Sequence, residues 1–120
     1  MAGEAKIGSG GSAQPVLSLL SVRADVGPEL IEPIEASGRT IIELSFAQLR
    51  RFGCNVIELR SRGGEPLIAL SSTAKARLTP DQVRALETFG ELVDVAVPTI
   101  EAVGGGSVRC MIAEIHLPRV

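Results

Sequence analysis

Glu35-Ala36-Ser37-Gly38 leads into the strand-like run RTIIEL at residues 39–44, and Glu87-Thr88-Phe89-Gly90 leads into a similar run, ELVDVAV, at residues 91–97. Each run is followed by a short helical signal, a glycine and another β-rich segment. After the first come Gly53 and NVIELR (55–60); after the second come Gly104 to Gly106 and Met111 to Leu117. Identity between the two stretches is low, but the order of elements matches. Gly38 and Gly90 stand about 52 positions apart, near the period at which repeated supersecondary units recur. The implied unit is strand, strand, helix, strand, which makes the chain an α/β protein. The alternative is the loose β–α alternation that any α/β chain shows.

The remaining elements fit around this repeat. Val16 to Val22 reads as a strand. Gly27-Pro28 opens a helix, with Glu29 and Glu32 at its positive end and Gly38 as its C-cap. Ser45 caps a short helix over Phe46 to Arg51, closed by Gly53. Asn55–Arg60 and Pro66–Leu70 flank the turn Arg62-Gly63-Gly64-Glu65 and read as a hairpin. Thr79-Pro80-Asp81-Gln82 has N-cap, N1 proline and capping-box spacing, so a helix starts there and places Val83, Leu86 and Phe89 on one face. Pro98 starts a single helical turn, and Met111 to Leu117 reads as a final strand. Residues 1–14 are small and polar and read as a flexible tail, leaving 15–120 as one domain. Gly8-Ser9-Gly10-Gly11-Ser12-Ala13 fits a dinucleotide-loop pattern, but no strand precedes it and the reading fails on context.

Composition narrows the function. The chain has 120 residues, 45% of them apolar, which suffices for one packed core. Three Phe and no Trp or Tyr leave the core to aliphatic side chains and provide no stacking platform for bases. The net charge is −2 and no basic stripe tracks a phosphate backbone, so nucleic acid is not an expected partner. No apolar run approaches the roughly 20 residues of a membrane span. The amino terminus shows no charged-then-apolar secretory signal, and two cysteines suit a reducing cytoplasm. Two distant cysteines and one histidine make no metal site, and no cofactor is called for.

The chemistry concentrates in Gly104-Gly105-Gly106-Ser107-Val108-Arg109-Cys110-Met111. Consecutive glycines let backbone approach a ligand closely and take positive φ. A thiol at the mouth of such a loop is a candidate nucleophile; the competing reading is a small buried hydrophobe behind a turn.

The segment Gly104 to Arg119 (GGGSVRCMIAEIHLPR) resembles the C-terminal signature of the guanidino-group-modifying enzymes. These are the arginine deiminases, dimethylarginine hydrolases, amidinotransferases and citrulline-utilization hydrolases, the last being the nearest likeness. The similarity continues through Phe52-Gly53-Cys54-Asn55-Val56-Ile57-Glu58-Leu59, Pro66-Leu67-Ile68 with Ser71-Ser72, Leu78-Thr79-Pro80 with Gln82, and Pro98-Thr99-Ile100-Glu101, covering roughly residues 36–119. It implies an α/β propeller of ββαβ units, about two of five being present here. It also implies that Cys110 attacks a guanidinium carbon to form an amidino-thioether, which water or an amine resolves. By the same resemblance Asn55, Gly104, Gly105, Gly106, Ser107 and Arg109 surround an arginine-like guanidino substrate.

Other residues carry two readings. Asn55 either shapes the site or bonds its own turn. Arg109 either lowers the Cys110 pKa or points into solvent from the opposite strand face. Glu101 and Asp94 are solvated surface acids or guanidinium ligands, the former being the expectation. Glu114 shares the strand face of Cys110 and is the better acidic candidate. Cys54 is expected to be a core thiol. Family members carry an acidic pair and a catalytic histidine upstream of the cysteine. The one histidine here, His116, follows Cys110 by six residues, roughly 20 Å along a strand, too far to act as its base. The chain therefore reads as the nucleophile-bearing C-terminal part of a guanidino-group hydrolase or amidinotransferase, inactive or weakly active alone. The alternative is a non-catalytic α/β module that self-associates into a homo-oligomer through open sheet edges.

Overall fold

A computed structural model describes residues 3–7, 16–21, 27–115 and 117–118. In chain order these form β1 (Gly3–Ile7), β2 (Val16–Ser21), α1 (Gly27–Ala36), β3 (Arg39–Glu43), α2 (Phe46–Leu49), β4 (Ile57–Arg60) and β5 (Pro66–Ser71). They continue with α3 (Ser72–Lys75), α4 (Pro80–Glu87), β6 (Glu91–Val95), α5 (Pro98–Gly104) and a 3-10 turn, Val108–Met111.

The strands make two three-stranded sheets, β1-β2-β3 and β4-β5-β6. In each, the first pair is antiparallel and the second parallel, so one strand-strand-helix-strand topology occurs twice. Val16 pairs with Arg39 in the first sheet, and Leu67 pairs with Glu91 in the second. The strand that returns from the helix thus begins directly after Gly38 in one unit and after Gly90 in the other. The two glycines serve different needs. Gly38 takes a φ of +77° at the end of α1, a conformation costly for residues with a Cβ. Gly90 admits the Pro66 carbonyl oxygen, which would lie 2.7 Å from any added Cβ.

One core joins the two units. Ile42 and Leu44 from the first pack with Val56, Ile68, Leu70, Ala74 and Leu86 from the second. β5 is central in its sheet and Ile68 to Ser71 are all buried, so the inward–outward alternation of a half-exposed strand is lost. Leu86 is the buried anchor of α4, and the half-buried Ala85 and Phe89 pack against the same core.

The helix starts are cross-linked. Ser45 and Gln48 form a capping box on α2, and Thr79 and Gln82 form another on α4. Gln48 Nε2 donates to Gln82 Oε1 at 2.7 Å and to the Arg77 carbonyl at 2.8 Å, while Gln82 Nε2 donates to the Glu43 carbonyl at 2.7 Å. The amides that cap each helix therefore also dock one helix start on the other.

Four expectations are revised. Among the described residues of the stretch Met111 to Leu117 the expected strand is absent: Cys110 and Met111 lie in the 3-10 turn, and residues 112–115 are irregular. An alternating apolar pattern makes a strand only where a neighbouring edge accepts its hydrogen bonds; among the described residues none does, and Met111, Ile115 and Leu117 are exposed. Gly3–Ile7, inside the expected flexible tail, pairs with β2. The single turn at Pro98 is a seven-residue helix that absorbs Gly104. α3 was not anticipated; Ser71 caps it by accepting from the Ala74 N–H at 3.1 Å.

Candidate active site

Two segments far apart in sequence meet at the thiol. The first is the turn after α2. Gly53 N–H returns to the Gln48 carbonyl at 2.9 Å and Phe52 adopts a left-handed φ of 65°. That conformation costs a non-glycine residue about 1–2 kcal/mol, and the packing of Phe52 against the core offsets it. Asn55 N–H then donates to the Phe52 carbonyl at 2.9 Å, which aims the Asn55 side chain out of the turn.

The second segment follows α5. Gly105 is left-handed at a φ of 66° and turns the chain out of the helix. A Cβ on Gly106 would stand 3.1 Å from Cys110 Cβ and 3.3 Å from its Sγ, so a glycine there leaves room for the thiol. The Cys110 N–H donates to the Ser107 carbonyl at 3.0 Å and closes the 3-10 turn.

Asn55 clamps this turn from the other side. Its Oδ1 accepts from the Arg109 backbone N–H at 2.8 Å, and its Nδ2 donates to Cys110 Sγ at 3.0 Å. Because a backbone N–H can only donate, it fixes which end of the amide faces the sulfur. The thiol is exposed. Its pKa is held below the ordinary 9.0 by a backbone hydrogen bond from Ser107 and then by the Asn55 amide; desolvation opposes them, and the Arg109 charge adds a lesser lowering. Cys110 is thus an accessible sulfur with donors aimed at its anionic form, the arrangement that favours a reactive thiolate.

Glu101 corrects its expected place on the surface. It is buried in the first turn of α5, 9% exposed, and accepts from Ser107 Oγ at 2.7 Å. Burial works to raise its pKa, but hydrogen bonds from the Ser71, Ser107 and Thr73 hydroxyls outweigh it and hold the carboxyl below its ordinary value. Ser71 and Ser107 are themselves fully buried. The sequence signal for this network was present in the spacing of Glu101 and Ser107 across the glycines, but the hydroxyls at 71 and 73 arrive through β5 and α3.

The remaining candidates separate. Asp94 lies on β6, where Lys75 Nζ at 2.6 Å and Ser72 Oγ at 2.8 Å hold it as a carboxylate with a lowered pKa. Glu114 is exposed in an irregular stretch, so the strand-face argument for it lapses. The strand-based separation of His116 from Cys110 lapses as well, and His116 itself lies outside the described residues. Arg109 keeps its guanidinium near the Val56 carbonyl at 3.4 Å; it is half-buried rather than pointing freely outward. Cys54 packs against the core, and burial pushes its thiol up to about 11. Among the described residues no group of three or more His, Cys, Asp or Glu is placed to hold a metal ion. No helix among them is long and apolar enough to cross a membrane.

A family model described as N,N-dimethylarginine dimethylhydrolase, eukaryotic, matches residues 15–117. No curated protein and no solved structure matches the chain.

Proposed function

The chain belongs to the N,N-dimethylarginine dimethylhydrolase family of guanidino-modifying enzymes, and on that premise we propose that Cys110 is its nucleophile toward a guanidino compound. The observation that carries this reading is the Asn55 amide seated on an exposed Cys110 sulfur. A family acting on methylated arginines gives the substrate class. In the reaction, an Sγ–C bond forms at the guanidinium carbon as one C–N bond breaks, the thiol proton leaving with the amine. Water then supplies the oxygen of a ureido product, one of its protons returning to sulfur and the other passing to the amine. Gly105 is exposed and Gly106, beside the sulfur, is half-buried, which leaves room there for the flat cation; Ser107 is buried and Gly104 ends the preceding helix. Two repeats of one ββαβ topology support a partial propeller as the fold, and two cysteines outside any disulfide suit a reducing compartment such as the cytoplasm.

The amine leaving group needs a proton shuttle, and the guanidinium needs acidic partners. The family resemblance places both upstream of the cysteine, and the one histidine in this sequence follows it. Turnover by the chain alone is therefore slow or absent while the sulfur remains competent. Alkylation of Cys110 by neutral chloroacetamide near neutral pH tests the competent sulfur. Cys110 is expected to react faster than an ordinary exposed thiol; an ordinary rate contradicts the nucleophile reading. Rapid citrulline formation from dimethylarginine or arginine would contradict the incomplete site.

A second reading is favoured by one feature. β6 pairs only with β5 among the described residues, and its Val93 and Val95 are exposed, as are Ile100 and Val103 on α5. Such an edge invites a second copy of the chain. Sedimentation as a clean monomer at micromolar concentration would remove this alternative.

A further inference from the structure

We infer that Glu101 is a positioning residue for the Cys110 sulfur, acting through Ser107, an inference that rests on the nucleophile reading above. Ser107 is the residue through which the loop controls the thiol. Its carbonyl takes the Cys110 N–H at 3.0 Å, and its own backbone hydrogen bond reaches the sulfur. Ser107 follows Gly105 and Gly106, which have no side chains to anchor the loop on that side, so the loop is held here by the Ser107 side chain and by the buried Val108 that follows it. That side chain is fully buried and donates to Glu101 at 2.7 Å.

Glu101 is in turn held by hydroxyls from outside the loop. The Ser71 hydroxyl ends the central strand β5 and already accepts from Ala74 N–H, so its proton is free for the carboxylate. The Thr73 hydroxyl, from α3, is another donor. A buried carboxylate with three hydroxyl donors is a satisfied, rigid anchor. Glu101 meets the thiol only through Ser107, and the charged group acting directly on the sulfur is Arg109.

Charge and position predict opposite signs. If Glu101 acted as a nearby anion, removing it would ease thiol ionisation. If it holds Ser107, removing it frees the loop, costs the sulfur its backbone donor and makes ionisation harder.

The test is the pH dependence of iodoacetamide alkylation, read by peptide mapping on the full chain. Cys54 serves as the internal reporter of an intact core. In Glu101→Ala the Cys110 midpoint is expected to move up toward 9.0, the ordinary thiol value, and the neutral-pH rate to fall several-fold. Ser107→Ala is expected to reproduce that shift, and the double variant to add nothing further. Glu101→Gln, which keeps an acceptor for Ser107 Oγ, is expected to stay near the parent. If Glu101→Ala exposes Cys54, Ser107→Ala, which deletes a single oxygen, decides instead. An unchanged or lowered midpoint in the deciding variant overturns the inference. An ordinary midpoint in the unsubstituted chain overturns the nucleophile reading first, before any variant is made.

Discussion

Asn55 and Cys110 are joined side chain to side chain: the amide Nδ2 donates to the sulfur at 3.0 Å while the same amide accepts from the Arg109 N–H at 2.8 Å. One side chain therefore both orients the turn and stabilises the anion on it. Removing this donor in Asn55→Ala is expected to slow Cys110 alkylation near neutral pH about fivefold, as a net hydrogen bond of about 1 kcal/mol implies. Asn55→Asp should slow it further, because a carboxylate opposes the thiolate. Alkylation kinetics measure both.

The three glycines are expected to respond differently to alanine. Gly104 is helical and an added Cβ meets nothing nearer than Ile100 Cγ2 at 4.0 Å, so Gly104→Ala should stabilise by about 0.5–1 kcal/mol. Gly105 is left-handed, and Gly105→Ala should cost about 1–2 kcal/mol. Gly106→Ala should leave the melting temperature nearly unchanged but slow alkylation, since its Cβ crowds the Cys110 sulfur. Thermal melts with thiol kinetics separate the three.

Leu86 is fully buried in the core that joins the two units. Leu86→Ala is expected to cost about 2–5 kcal/mol in denaturant unfolding. Loss of both sheets in one transition is expected, because Ile42 and Leu44 share that core.

Asp94 is held as a carboxylate chiefly by Lys75 and then Ser72, and its pKa lies below the ordinary 3.8. Its contribution to stability is therefore present above the unfolded-state value and is lost as pH falls through the lower native value. Asp94→Asn should melt slightly below the parent at neutral pH, with the difference closing in acid and shrinking with added salt. Melting temperatures across the acid range test the sign.

Local chemistry made much of this architecture legible. Thr79-Pro80-Asp81-Gln82 is a complete helix start by itself, and Gly38 and Gly90 mark where each returning strand begins. Cys110 stood out because a thiol beside glycines is a local pattern. What depended on distant partners was misread. MIAEIHL alternates as a strand does, but a strand needs an edge to join. Glu101 reads as a surface acid in its helix, because the hydroxyls that accommodate it come from residues 71, 73 and 107. From sequence Asn55 admits both a turn and a site reading, because its two partners lie more than fifty residues away; in the structure its side chain bonds across to the thiol.

The pH profile of thiol alkylation, resolved between Cys110 and Cys54, tests the central claim that the loop sulfur is poised as a nucleophile. Hydrogen bonds from Ser107 and Asn55 and the Arg109 charge hold the Cys110 pKa below the ordinary 9.0, while burial pushes the Cys54 thiol up to about 11, so near neutral pH thiolate should form at Cys110 and not at Cys54. The account predicts complete labelling of Cys110 while Cys54 stays unmodified in the folded chain. Equal labelling of the two, or a Cys110 that reacts only at the pH of an ordinary thiol, would contradict it.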